Sequence, residues 1–87
     1  PSPRWGPVMA VDPTSGKMLF FGGIDNEHQK NDTWLLDGDR WQQLSPELSP
    51  VARDAHSMFY DPVRKSFILY GGLKSYALND MWEFVLP

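Results

Sequence analysis

Eighty-seven residues, 41% of them hydrophobic, 22% charged and 14% aromatic, make one small folded domain, too short for two and too apolar for disorder. A net charge of −3, with Lys and Arg spread thinly, speaks against nucleic acid as a partner. No apolar run approaches the ~20 residues of a membrane-spanning helix, and the absence of cysteine excludes disulfides and thiolate metal sites.

Eight prolines and seven glycines cut the chain into short pieces and argue against long helices. The first apolar run predicts a strand near residues 8–12, closed by Asp12-Pro13-Thr14-Ser15-Gly16, a cluster of turn formers. A second strand is expected over 17–21, ended by Gly22-Gly23 and followed by a polar loop over 24–30. The third strand is placed at 33–36. Asp37-Gly38-Asp39 is a hairpin turn, because Asp-Gly readily takes positive φ angles, and a fourth strand follows at 40–44. A linker with Pro46 and Pro50 leads to further strands at about 55–60, 66–70 and 81–85, with a loop over 73–78 after Gly71-Gly72. Met18-Leu19-Phe20-Phe21 and Phe67-Ile68-Leu69-Tyr70 are apolar on consecutive positions. Consecutive strand residues point to opposite faces, so both faces of each sheet must be covered. Small meanders stacked radially in a β-propeller are the simplest arrangement that does this.

The pieces recur. RWGPVMAVDPTSGKMLFFGG, starting at Arg4, aligns with RDAHSMFYDPVRKSFILYGG, starting at Arg53, at an offset of 49; Asn31-Asp32-Thr33-Trp34 aligns with Asn79-Asp80-Met81-Trp82 at 48. One residue is lost in the polar stretch after the glycines, where a change of length costs least.

The period, the Gly-Gly after an apolar strand, the Asn-Asp-x-Trp, the pair Trp34 and Trp41, and the Pro50-x-x-Arg53-x-x-His56-Ser57-Met58 run together resemble the kelch repeat. The resemblance covers essentially the whole chain. It implies an all-β fold of two four-stranded antiparallel blades, part of a β-propeller: residues 1–52 form the first blade, and residues 53–87 an incomplete second blade lacking its outer strand. Pro7 departs from the pattern, standing where the second unit has His56. Two blades share one interface and leave two apolar faces in water. The chain is therefore expected to complete a ring with further blades of a longer polypeptide or with further copies of itself.

Candidate chemistry divides into repeated and unrepeated residues. Gly22, Gly23, Gly71 and Gly72 are read as turns where a side chain would collide with a neighbouring strand. Asp32 and Asp80 recur in both units, and a recurring carboxylate is a structural device, expected to cap a loop or accept backbone N–H bonds. Trp34, Trp41 and Trp82 are expected to pack between blades, and His56 is read as a structural histidine beside a tryptophan. The resemblance places Arg4 and Arg53 at the mouth of the ring as ligand contacts; the alternative is hydrogen bonding to loop carbonyls or pairing with an aspartate. Trp5, unmatched in the second unit, and Asp25, Asn26, Lys74 and Tyr76, in the loops after the glycines, complete the expected binding surface. His28 near Asp25 and Glu27 is read as a solvated loop, with no metal site.

No nucleophile–base pair appears, so no catalytic residue, cofactor or metal is expected, and the chain is read as a non-enzymatic scaffold for another protein or peptide. A galactose-oxidase-like or sugar-binding propeller, and a self-assembling structural module, are the alternatives that the same residues allow.

Overall fold

The computed structural model describes residues 1–86 apart from 26, 27, 47, 48 and 55. Among them every regular element is a strand: β1 (Val8–Val11), β2 (Met18–Phe21), β3 (Ile24–Asp25), β4 (His28–Gln29), β5 (Thr33–Asp37), β6 (Arg40–Leu44), β7 (Ser57–Asp61), β8 (Ser66–Leu73) and β9 (Ala77–Phe84). Three antiparallel sheets result, in the orders β1-β2-β5-β6, β3-β4 and β7-β8-β9. The all-β expectation holds, as do the four-stranded first sheet and the three-stranded second.

Turn chemistry closes the hairpins as the sequence requires. Asp12 Oδ1 accepts from the Thr14 backbone N–H at 2.9 Å, and Asp61 Oδ1 accepts from Val63 at 2.9 Å, so the two Asp-Pro turns are one device used twice.

The two glycine pairs behave differently. Gly22-Gly23 ends β2 at Phe21 as expected, and the chain past it forms the separate small β3-β4 hairpin, whereas β8 runs through Gly71-Gly72 to Leu73, with a register shift between Tyr70 and Gly72. β9 accordingly starts at Ala77 instead of 81. The expected loops over 24–30 and 73–78 are thus hairpins, bent but still paired, because the glycines adopt φ angles from +69° to +105° that turn the chain and let pairing resume beyond them. The strand expected from 55 begins at Ser57, and Ala55 lies outside the described residues. The missing residue is where the alignment puts it: Ile24 pairs with Gln29, whereas Leu73 pairs with Ala77.

Strand register sorts the side chains into faces. In the first sheet, the rows Val8–Phe21–Thr33–Leu44 and Ala10–Leu19–Leu35–Gln42 share one face, and Met9–Phe20–Trp34–Gln43 and Val11–Met18–Leu36–Trp41 share the other. In the second sheet, Met58–Leu69–Trp82 and Tyr60–Phe67–Phe84 form one face, with Phe59–Ile68–Glu83 and Ser57–Tyr70–Met81 behind them. The core forms where the first face of each sheet meets: Leu19, Phe21, Met58, Phe67 and Leu69 are buried there, flanked by Val8, Ala10, Leu44, Tyr60, Trp82 and Phe84. Each large apolar side chain buried at this seam contributes about 1.5–3 kcal/mol. By the 49- and 48-residue offsets, the second sheet contributes the face equivalent to Met9–Phe20–Trp34, and the first sheet contributes the opposite one. The packing is therefore head to tail.

Candidate functional site

Each unit is entered by an arginine, and both arginines are used in the same way. Arg53 Nη1 donates to Asp80 Oδ1 at 2.5 Å and to the Gly71 carbonyl at 3.0 Å, its Nη2 donates to Asp80 Oδ2 at 2.8 Å, and its Nε to the Val51 carbonyl at 3.1 Å. Arg4 repeats the set: Nη1 to Asp32 Oδ1 at 2.5 Å and to the Gly22 carbonyl at 3.1 Å, Nη2 to Asp32 Oδ2 at 3.1 Å, and Nε to the Ser2 carbonyl at 3.2 Å. The tryptophan two residues after each aspartate donates its indole N–H to the same carboxylate, Trp34 to Asp32 and Trp82 to Asp80, both at 2.8 Å. The Arg4 guanidinium also sits 5.3 Å over the Phe20 ring.

This geometry reassigns several residues. Arg53 is 0% exposed and presents no surface to a ligand; Arg4 spends its guanidinium on the same internal partners. The aspartates accept from an arginine and an indole as well as from their own backbone N–H, because each lies between the unit's entering segment and its third strand. The Arg53 hydrogen bonds hold the Asp80 carboxyl well below the usual carboxylate range, against the opposing pull of burial, with help from Trp82. Burial pushes Asp32 up, but the bonds from Arg4 and Trp34 outweigh it and lower its pKa. Trp82 packs into the seam between the sheets. Trp34 and Trp41 lie on the opposite face of the first sheet, where Trp41 meets the edge of Phe20 at a centroid distance of 5.7 Å.

The glycine pairs allow close approach. A Cβ on Gly23 would lie 2.8 Å from the Trp5 carbonyl oxygen, and one on Gly72 2.8 Å from the equivalent Asp54 oxygen. Those approaches let Trp5 bridge to Ile24 and Asp54 to Leu73, which ties each entering segment to its hairpin. His56 then joins the units. Its Nε2 lies 2.9 Å from the Phe21 carbonyl oxygen and its ring meets Phe21 edge-on at 5.7 Å, so its aromatic neighbour is Phe21 and not a tryptophan. Burial lowers its pKa, and neighbouring Arg53 adds to the shift while Phe21 and Asp54 oppose it.

Of the residues expected to bind a ligand, those open to solvent lie on the rim formed by the two hairpins. Trp5 is 66% exposed and Tyr76 60%. Trp5 lines an open recess of about 500 Å³ with Ser2, Pro3, Arg4 and Asp25. Asp25 pairs with Lys30 at 3.1 Å. Lys74 and Tyr76 stand exposed in the turn between β8 and β9. Gln29 fastens the two hairpins together, its Nε2 donating to Asp54 Oδ1 at 2.5 Å and to the Leu73 carbonyl at 2.8 Å. The structure thus brings Trp5 and Asp25 together and puts Lys74 and Tyr76 on the adjoining hairpin, while Asn26 lies outside the described residues. Sequence reasoning missed Gln29, Lys30 and Asp54. Gln29 carries no repeat signal, because Ala77 occupies the equivalent position. Among the described residues, no three His, Asp or Glu side chains gather as a metal site would require.

No family model matches the chain. It is 28% identical, over 99 aligned residues, to the host cell factor homolog hcf-1 of Caenorhabditis elegans. That alignment covers 94% of this chain and 13% of that protein, so the chain spans only a small part of its relative's length.

Proposed function

We propose that this chain is a pair of neighbouring blades from a kelch-type β-propeller, acting without catalysis as a scaffold whose hairpin rim binds another protein or a peptide. The observation that carries this reading is the head-to-tail seam. One face of the second sheet packs on the opposite face of the first, so the same step repeated would cover the outer face bearing Phe59, Tyr70 and Met81 with a further sheet, and that bearing Met9, Phe20 and Trp41 with another. Repeated rotation of one unit closes as a ring. Similarity to one stretch of a much longer protein is in keeping with a unit that works inside a larger whole.

The His56 junction makes further blades of a different sequence the better partners, while copies of this chain still stack, more weakly, through the same apolar faces. His56 reaches back to the Phe21 carbonyl, whereas the first unit of a second copy would offer Pro7 at that place, which cannot donate a hydrogen bond.

The rim suits a polypeptide ligand. Trp5 and Tyr76 offer large, stiff contact surfaces with a polar end, and Asp25, Lys30 and Lys74 supply charges of both signs around them, the composition of a protein-binding patch rather than of a catalytic pocket. Selection of ligands from a displayed peptide library tests this. Selected peptides are expected to lose binding on Trp5→Ser or Tyr76→Ser and to keep it on Val63→Ser at the opposite end of β8. Peptides indifferent to both aromatic substitutions would contradict the reading, and a tightly bound stoichiometric metal in the purified protein would point instead to an enzyme.

A further inference from the structure

The β3-β4 hairpin of the first unit is fastened to the second unit over a short stretch of chain. The Gly23 N–H donates to the Arg53 carbonyl at 2.9 Å, the Arg53 N–H donates to the Lys30 carbonyl at 3.2 Å, and Gln29 Nε2 donates to Asp54 Oδ1 and to the Leu73 carbonyl. His56 stands among these bonds, in a slot between the two glycine pairs. A Cβ on Gly22 would come within 3.0 Å of its Cε1, and one on Gly72 within 2.8 Å of its Cβ. The apolar core that joins the sheets runs away from this slot along β2, β7 and β8.

The slot fits a neutral ring. Nε2 lies 2.9 Å from the Phe21 carbonyl oxygen, which can only accept, so Nε2 carries the proton and Nδ1 is a bare acceptor. Nδ1 is buried and has no hydrogen-bond partner among the described residues. A second proton would therefore place a charge, and a donor without an acceptor, in the interior, and both are costly. The charged groups acting on the ring come from its own segment: Arg53 opposes protonation and Asp54 favours it. Asp54 is itself engaged by Gln29 of the hairpin. The first unit presents Phe21 and Gly22 to the ring and β8 presents Gly72, and none of these titrates.

We propose that His56 is a proton-operated latch between the two hairpins: the neutral ring keeps them joined as one rim, and proton uptake in mild acid parts them while both sheets stay folded. Opening exposes Nδ1 to water, where both ring N–H groups find acceptors. The bonds lost are the few that surround His56, whereas the strand ladders and the seam core persist. The latch concerns the contact between the two units and stands whether or not the rim binds a peptide. Its consequence for function rests on the reading above: a peptide spanning Trp5 and Tyr76 is released in acid.

Amide exchange of the 87-residue chain from about pH 7.5 to about pH 5.5, corrected for intrinsic rates, tests the latch. Protection at Gly23 and Arg53 is expected to fall by up to about tenfold for each pH unit below the ordinary histidine value of about 6.5. Phe20 and Ile68, in strands paired on both edges, should keep theirs. His56→Gln, whose amide can still donate to the Phe21 carbonyl, should abolish the pH dependence, and His28→Gln, at an exposed position on β4, should leave it. If His56→Gln does not fold, NMR titration of the wild-type ring decides, because protonation of His56 must coincide with the loss of protection at Gly23. Protection at Gly23 that stays flat across this range overturns the latch. So does a loss shared equally by Phe20 and Ile68, which is unfolding of the whole chain, or a junction already unprotected at about pH 7.5. Loss of protection at Gly23 without any peptide binding supports the latch and overturns the rim reading alone.

Discussion

Arg53 and Asp80 form a two-point ion pair at 2.5 and 2.8 Å whose guanidinium is sealed from solvent, while the carboxylate keeps 39% of its side-chain exposure. The asymmetry matters, because the buried partner depends on the exposed one. Arg53 ties its own entering segment, the Gly71 carbonyl and the third strand of its unit together, and Arg4 does the same in the first unit. The repeated arginine is thus a rivet of each sheet, and Trp5, Lys74 and Tyr76 stay open to solvent beyond it.

Removing the exposed partner strands the buried one. Asp80→Ala leaves a guanidinium at 0% exposure without its counter-charge, which costs about 3 kcal/mol, the low end for a broken buried pair since water reaches the carboxylate side. Asp25→Ala, which breaks the half-exposed pair with Lys30, should cost less than about 1 kcal/mol. Urea denaturation of the two variants checks this, and equal midpoints would contradict it.

His56 makes stability depend on pH near neutrality. Burial lowers its pKa below the ordinary 6.5, so the unfolded chain binds the proton first. The stabilisation is complete above the unfolded value and is lost as pH falls through the folded value. Thermal melts should therefore decline from about pH 7 downward, and His56→Gln should flatten that slope. A second decline, below the ordinary carboxylate range, follows from the lowered values of Asp32 and Asp80 by the same sign. A wild-type profile flat between neutrality and mild acid would refute the role given to His56.

Gly72 is the position least able to carry a side chain. Its φ of +105° strains any other residue, and a Cβ there would meet both the Asp54 carbonyl oxygen and the His56 Cβ at 2.8 Å. Gly72→Ala should cost about 1–3 kcal/mol from the backbone alone, with the collision added. It should also loosen the junction with the first sheet, seen as faster amide exchange at Gly23, whose N–H bonds the Arg53 carbonyl at 2.9 Å. Unchanged exchange at Gly23 would separate the two.

Much of this fold was legible in the sequence. Consecutive apolar residues demanded covered faces, and the recurring Asp-Pro, Gly-Gly and Asn-Asp-x-Trp marked the repeat of one strand pattern along the chain. Pairing beyond the glycines was not, because Gly-Gly reads as a stop, while the register shift past Tyr70 lets a bent strand continue. The partners of Asp32 and Asp80 could have been found by asking which cation recurs with a recurring carboxylate; Arg4 and Arg53 do, at nearly the same separation. His56 was assigned the wrong neighbour because its partner, Phe21, lies in the other unit, 35 residues away. Of the rim, the exposed aromatics were legible, whereas Gln29 was not, since a lone amide in a polar hairpin has no pattern to betray it.

Light scattering across a dilution series decides most directly whether the two outer faces are interfaces. The chain should show a mass above its 10.0 kDa monomer at high concentration. It should return to the monomer when Phe59→Glu and Met81→Glu put charge on the face that stands 55% and 67% exposed at those side chains. A wild-type chain that remains a well-folded monomer at every concentration, unaltered by those substitutions, would contradict the stacking on which the proposed ring depends.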